Sequence, residues 1–247
     1  MHQRCSEGSA DHHKGCLRHA TDVTLRVLGG GYVEIDRMGR VLHYSMEIRI
    51  ESRHLQDVVV IVPDIFQDDR GFFTETFRVD QFHALGLPTE FVQDNHSRSV
   101  KGVVRGLHFQ WDPPMSKLMR VTAGSAFLVA VDIRKGSPTL GQWVGVQAST
   151  ENRRQVYAPA GFARGFCALS DSTEIQYKCT GIYNAKAESA IRWNDPEIGI
   201  KWPLEEVIVS EKDRKARTLA EWLAMPESGN FRYVPELEKK KSTRSSS

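Results

Sequence analysis

Three side chains of this 247-residue sequence, His108, Lys117 and Tyr177, are of the types needed to move a proton beside a carbonyl group. That chemistry requires a base, an acid to return the proton, and a group to hold the developing enolate charge. His108 lies in Val104–Gln110 (VRGLHFQ), and an imidazole titrates near neutrality, so it can accept a proton without large tuning. Lys117 and Arg105 are nearby cations able to hold an enolate or a phosphate. Tyr177, between Gln176 and Lys178, offers a phenol as the acid. Each residue also has a structural reading. A single strand histidine is commonly structural or solvent-facing, and a mid-strand tyrosine is commonly a packed residue with a bonded hydroxyl. Asp213 stands three residues after Ser210, where a helix start places an acid, and Arg70 in Asp69-Arg70-Gly71 fits a turn.

The elements that must position these residues read mostly as short strands. Val58–Val62 is β-branched and stops at Pro63; Lys117–Thr122 and Ala126–Asp132 flank a turn at Ala123-Gly124. Further strands are expected at Trp143–Gln147, Gln155–Tyr157, Phe166–Leu169 and Glu174–Cys179. Breaks at Gly136–Pro138, Pro159–Gly161 and Ser170–Ser172 separate them. Many short strands with regular turn signals predict an all-β sandwich or barrel, most naturally a jelly roll. Helices are few: one capped by Asp80 and ending at Gly86, and one opened by Ser210–Asp213 as a capping box with Leu219, Trp222 and Leu223 facing inward.

Bulk properties exclude several classes. A net charge of +2 without a basic stripe gives no electrostatic footprint for nucleic acid. No run of 18 apolar residues is present to span a membrane as a helix. Residues 1–21 are polar and His-rich, unlike a secretory signal, and four scattered cysteines do not make a disulfide framework; a reducing cytoplasm is expected. Cys5, His12, His13, Cys16 and His19 lack paired-ligand spacing for zinc. The expected organisation is a flexible extension at 1–45, a folded domain at 46–225 and a tail at 226–247 whose Ser-rich end is disordered.

Taken in order, a set of segments resembles the dTDP-4-dehydrorhamnose 3,5-epimerase family. They are Asp69–Glu75 (DRGFFTE), Phe91–Ser97 (FVQDNHS), Arg105–Gln110 (RGLHFQ), Lys117–Arg120 (KLMR) and Val131–Pro138 (VDIRKGSP). Pro159–Phe166 (PAGFARGF), Tyr177–Thr180 (YKCT), Trp193–Ile200 (WNDPEIGI) and Ser210–Asp213 (SEKD) continue the match, which covers roughly residues 47 to 225. The resemblance implies a mainly β, cupin-type jelly roll (double-stranded β-helix) with a few short peripheral helices. It implies a homodimer acting without cofactor or metal on a dTDP-4-keto-6-deoxyhexose in deoxysugar (dTDP-L-rhamnose) biosynthesis.

Carried over position by position, the resemblance makes His108 the proton acceptor, Asp213 its orienting carboxylate, Tyr177 the acid on the opposite sugar face and Lys117 the cation beside the C4 oxygen. Arg70, Glu75, Gln93, Asn95, Arg105, Glu188 and Lys212 match nucleotide- and sugar-binding positions, and Tyr183 the aromatic that stacks on thymine. Two departures stand out. Arg164 occupies a position where many members have His, and it can bind a sugar oxygen or phosphate but not act as acid or base. Leu128 stands where many have Asp and cannot accept a hydrogen bond. Both weaken double epimerisation at C3 and C5 and leave open a single-position epimerase or keto-isomerase. A non-catalytic nucleotide-sugar-binding cupin is the reading from another class. Arg164 also removes a histidine from the metal-cupin pattern, so three or four ligands cannot be assembled.

Arg105 and His108 raise a geometric question. Residues three apart on a regular strand point to opposite faces. Both can face one pocket only if the chain bulges, and Gly106 is the natural place for it.

Overall fold

The computed structural model describes residues 46–235 and three short segments of residues 26–44. Those segments, β1 (Arg26–Leu28), β2 (Gly31–Ile35) and β3 (Val41–Tyr44), pair antiparallel as a separate small unit. Part of the expected leader is therefore strand, and the remainder of 1–45 lies outside the described residues.

The main unit is built from β4 (Ile48–His54), β5 (Val58–Pro63), β6 (Phe66–Asp68), β7 (Gly71–Phe73), helix α1 (Val79–Ala84), β8 (Gln93–Ser99) and β9 (Val103–Gln110). There follow β10 (Lys117–Ala123), β11 (Ser125–Asp132), β12 (Trp143–Ser149), β13 (Gln155–Ala158), β14 (Phe162–Ala168) and β15 (Thr173–Cys179). The chain closes with β16 (Glu188–Ala190), β17 (Ile208–Val209), α2 (Glu211–Arg214), α3 (Leu219–Ala224) and a 3₁₀ turn at Pro226–Asn230. One sheet runs β4-β5-β13-β10-β15-β8; the facing sheet runs β12-β11-β14-β9-β16, with β17 also on β9. The expected jelly roll is what forms.

Each strand's face follows from residue parity. β5 is an unbroken apolar run because both of its faces are covered. Val58 and Val60 enter the core between the sheets with Met119, Leu128, Phe162 and Phe166. Val59 and Ile61 pack outward with Leu118, Tyr157 and Phe82 of α1. Leu107 and Phe109 of β9 likewise face away from the inter-sheet space, onto Trp222 of α3 and Phe231. That leaves His108 facing inward.

Three expectations change. Arg78, not Asp80, is the N-cap of α1, and Asp80 pairs with the Arg78 guanidinium inside the first turn. The helix expected from Ser210 onward is two helices, α2 of one turn and α3 with its own Thr218–Glu221 capping box. A bridge between Ile191 and Arg217 holds the chain extended between them. The folded unit also runs past residue 225: Phe231 is 4% exposed, and Lys135 pairs with Arg232.

Candidate active site

The site begins with a bulge. On β14, Arg164 pairs with His108 and Phe166 with Arg105, so two steps along β14 oppose three along β9. The extra residue is absorbed at Gly106, whose φ of +125° is closed to most side chains. Arg105 and His108 therefore share the inner face. The same distortion turns the Gly106 amide toward Asp213, donating to Oδ2 at 3.3 Å.

Asp213 Oδ1 lies 2.7 Å from His108 Nε2. Ser210 caps α2 by accepting the Asp213 backbone N–H, so the capping position is real, while the carboxylate serves His108. Burial opposes ionisation of Asp213, but the His108 ring and Gly106 amide outweigh it and hold the carboxyl below its ordinary range. An ionised carboxylate accepts, so Nε2–H donates to it and Nδ1 is the ring nitrogen left for a substrate.

On the facing sheet are Lys117 and Tyr177, with Lys117 Nζ 4.8 Å from the centre of the phenol ring, and Lys117 feels the charges of Arg164 and Glu188, the neighbours of His108. Burial, with the charge of Arg164, pushes Lys117 down to about 8, against the opposing influence of Cys179 and Glu188. Burial raises Tyr177, which keeps it protonated as an acid must be, while Asn95, its cross-strand partner, pulls the other way. Arg164 is 3% exposed. Its Nη1 donates to the carbonyls of Met115 (2.8 Å), Ala158 (3.2 Å) and Pro159 (3.4 Å).

The rim carries most of the remaining expected binding residues. Glu188 accepts from Lys212 Nζ at 2.8 Å and from the Tyr183 hydroxyl at 3.1 Å. Burial of Glu188 is outweighed by Lys212 and His108, which lower its pKa. The Tyr183 ring is exposed, and its N–H donates to Gln93 Oε1 at 2.8 Å; Gln93 in turn donates to Asn95. Arg105 reaches Ser99 Oγ at 3.1 Å and feels Tyr177. Arg70 and Glu75 do not join this group in one chain: Arg70 binds Asp68 and Glu75 binds Arg78, on and after the β6–β7 hairpin. Leu128 is buried in the apolar inter-sheet core. Cys179 is a site neighbour that the sequence reading passed over. It lies against Lys117 and Arg164, and its position two residues beyond Tyr177 on a strand was the available signal. Among the described residues no group of three or more His, Cys, Asp or Glu side chains could hold a metal ion.

A jelly roll with a His–Asp pair, a buried lysine and a tyrosine converging between its sheets is the architecture of a cupin-type acid–base enzyme. The family model described as dTDP-4-dehydrorhamnose 3,5-epimerase matches residues 52–221. A curated relative of that name from Methanothermobacter thermautotrophicus is 51% identical over 178 residues, covering 71% of this chain and 96% of the relative. The crystal structure of the 3,5-epimerase from Legionella pneumophila Philadelphia 1, in complex with dTDP-4-keto-L-rhamnose, superposes with a TM-score of 0.72. It is 46% identical and covers 76% of this chain and 100% of that one. A 3'-monoepimerase from Streptomyces bikiniensis in complex with dTDP-quinovose is 31% identical, TM-score 0.67, over 77% of this chain and 96% of that one. The chain belongs to the dTDP-4-dehydrorhamnose 3,5-epimerase family.

Proposed function

We propose that this chain is a cofactor-independent epimerase of a dTDP-4-keto-6-deoxyhexose, inverting C3 and C5 to form dTDP-4-keto-L-rhamnose. The observation that carries it is the convergence of the His108–Asp213 pair on Lys117 and Tyr177 from the opposite sheet. The 4-keto group acidifies the hydrogens at both neighbouring carbons, so one base beside one pocket can serve both. His108 Nδ1 takes the proton, the C–H electron pair forms the enolate, and Lys117 holds the charge on O4. Because that charge exists only on the way to the intermediate, Lys117 raises turnover rather than merely binding. Tyr177 returns a proton from the other face, which inverts the centre.

Pairing of two copies belongs to this reading. Arg70 and Glu75 are displayed away from His108 beside the exposed Phe72, so a second copy is the natural route by which they serve a sugar nucleotide. Arg164, with Leu128 buried in the apolar core, favours one further reading, epimerisation at a single carbon, C3 or C5.

The test is incubation with dTDP-4-keto-6-deoxyglucose in deuterated water, followed by NMR. Label at C3 and C5 with formation of the L-rhamno product is expected, and His108→Ala removes both. Label at C3 alone or at C5 alone selects the single-position reading. Binding without exchange at either carbon overturns the enzyme.

A further inference from the structure

Arg164 carries an unmet requirement. Its Nη1 is fixed by three carbonyl oxygens, but its Nε and Nη2 find no hydrogen-bond partner, although both are buried. Leaving a donor of a charged group unpaired inside a protein is costly, because its lost hydration is not replaced. These two atoms are not arbitrary: they form one edge of the guanidinium, with parallel N–H bonds suited to two oxygens side by side. The edge belongs to a residue that is the direct cross-strand partner of His108 on the inner face. Its charge is felt by Lys117 and Cys179 of the facing sheet, and it feels Tyr177 there in turn. Three backbone acceptors on one nitrogen keep the guanidinium from turning to seek other partners.

Resting on the function proposed above, we propose that Arg164 selects the C3 step, its Nε–H and Nη2–H chelating O3 and O4 of the sugar. The two deprotonations differ in what they present. When His108 removes the C3 proton, the C–H pair becomes a C3=C4 bond and the carbonyl pair moves to O4. O3 and O4 then lie on adjacent trigonal carbons, in one plane and side by side, with the negative charge carried by O4 and shared with C3. Removal of the C5 proton gives a C4=C5 enolate, in which O3 stays on a tetrahedral carbon out of that plane. A rigid two-pronged donor matches the first intermediate better than the second. Lys117, a single-point cation, serves O4 equally in both. Tyr177 then delivers its proton to C3, the π pair forms the new C–H bond, and the C4 carbonyl returns.

The experiment measures deuterium uptake at C3 and C5 separately, by NMR with dTDP-4-keto-6-deoxyglucose, in wild type, Arg164→Lys and Arg164→Met. Arg164→Lys keeps the charge and removes the fork. Both variants should lose about 10²–10³-fold in C3 exchange while C5 exchange falls less than about tenfold. Equal losses at both carbons, or no loss at C3, overturn the proposal, because a merely structural arginine would not discriminate between them. Wild type that exchanges at neither carbon overturns the function itself, a separate outcome. If neither variant folds, wild type decides: the Arg164 Nε–H resonance should move on adding dTDP-4-keto-6-deoxyglucose, and an unmoved resonance overturns the chelate.

Discussion

Gly106 and Gly165 stand back to back across β9 and β14. A Cβ on Gly106 would meet the Gly165 Cα at 2.6 Å, and one on Gly165 would meet the Arg105 carbonyl oxygen at 2.6 Å. Both contacts are with backbone, which cannot swing aside. The bulge that turns Arg105 and His108 to one face therefore depends on two glycines far apart in sequence.

Gly165→Ala should accordingly push β14 from β9 and disturb His108. We expect a loss of about 1–3 kcal/mol in chemical denaturation and a fall in exchange activity larger than the stability loss explains. Unchanged activity in the folded variant would show that the bulge does not position the base.

Asp213→Asn keeps the shape but removes the charge that fixes the His108 tautomer. Turnover should fall by about 10²–10⁴-fold with little change in KM. Steady-state kinetics over several substrate concentrations check this; a pure KM effect would contradict an orienting role.

Lys117 makes a prediction about pH. With a value of about 8, set by burial and Arg164, it is charged below that pH and neutral above it. Turnover limited by enolate stabilisation should decline as pH rises through about 8, and Lys117→Arg should remove that limb because arginine stays charged. Stability runs the other way. In the unfolded chain the amine keeps its ordinary value of 10.5, so between about 8 and 10.5 the unfolded state binds the extra proton and stability rises with pH. Lys117→Met should be inactive yet more stable at neutral pH by about 1–3 kcal/mol, and its stability should lack that rise. Urea titrations at about pH 7 and pH 10 measure both.

Tyr177→Phe separates the two faces of the reaction. His108 can still remove and return a proton on its own side, so deuterium exchange with retention should continue. Epimerised product should fall by about 10²-fold or more. NMR reads both from one tube, and loss of exchange together with product would remove Tyr177 from the proton-return role.

Residues 226–235 are structural. Phe231 packs edge-on to Phe109 at 6.0 Å and against Trp222 at 6.3 Å, behind the strand that bears His108. Phe231→Ala should cost about 3–5 kcal/mol in thermal or denaturant unfolding. A change under about 1 kcal/mol would mean the turn is dispensable.

Much of this was legible in the chain itself. The apolar run of β5 and the alternation of β10 and β15 announce strands because side-chain parity and burial are local properties. β8 was not legible: Gln93–Ser99 is polar throughout, since one of its faces borders the site rather than the core. The first half of β14, Phe162–Arg164, was missed in the same way, with Arg164 interrupting its apolar pattern. The sequence determined which side chains were available: a base, an acid, a cation, and an arginine and a leucine in place of two polar groups. It could also say that Arg105 and His108 share a face only through a bulge. Only the tertiary structure decided that the bulge exists, that Asp213 serves His108 as well as beginning a helix, and that Arg70 and Glu75 lie elsewhere in the same chain. Those outcomes turn on contacts between distant segments, and His108 and Asp213 are 105 positions apart. No local spacing encodes them; they arise when the sheets close on one another.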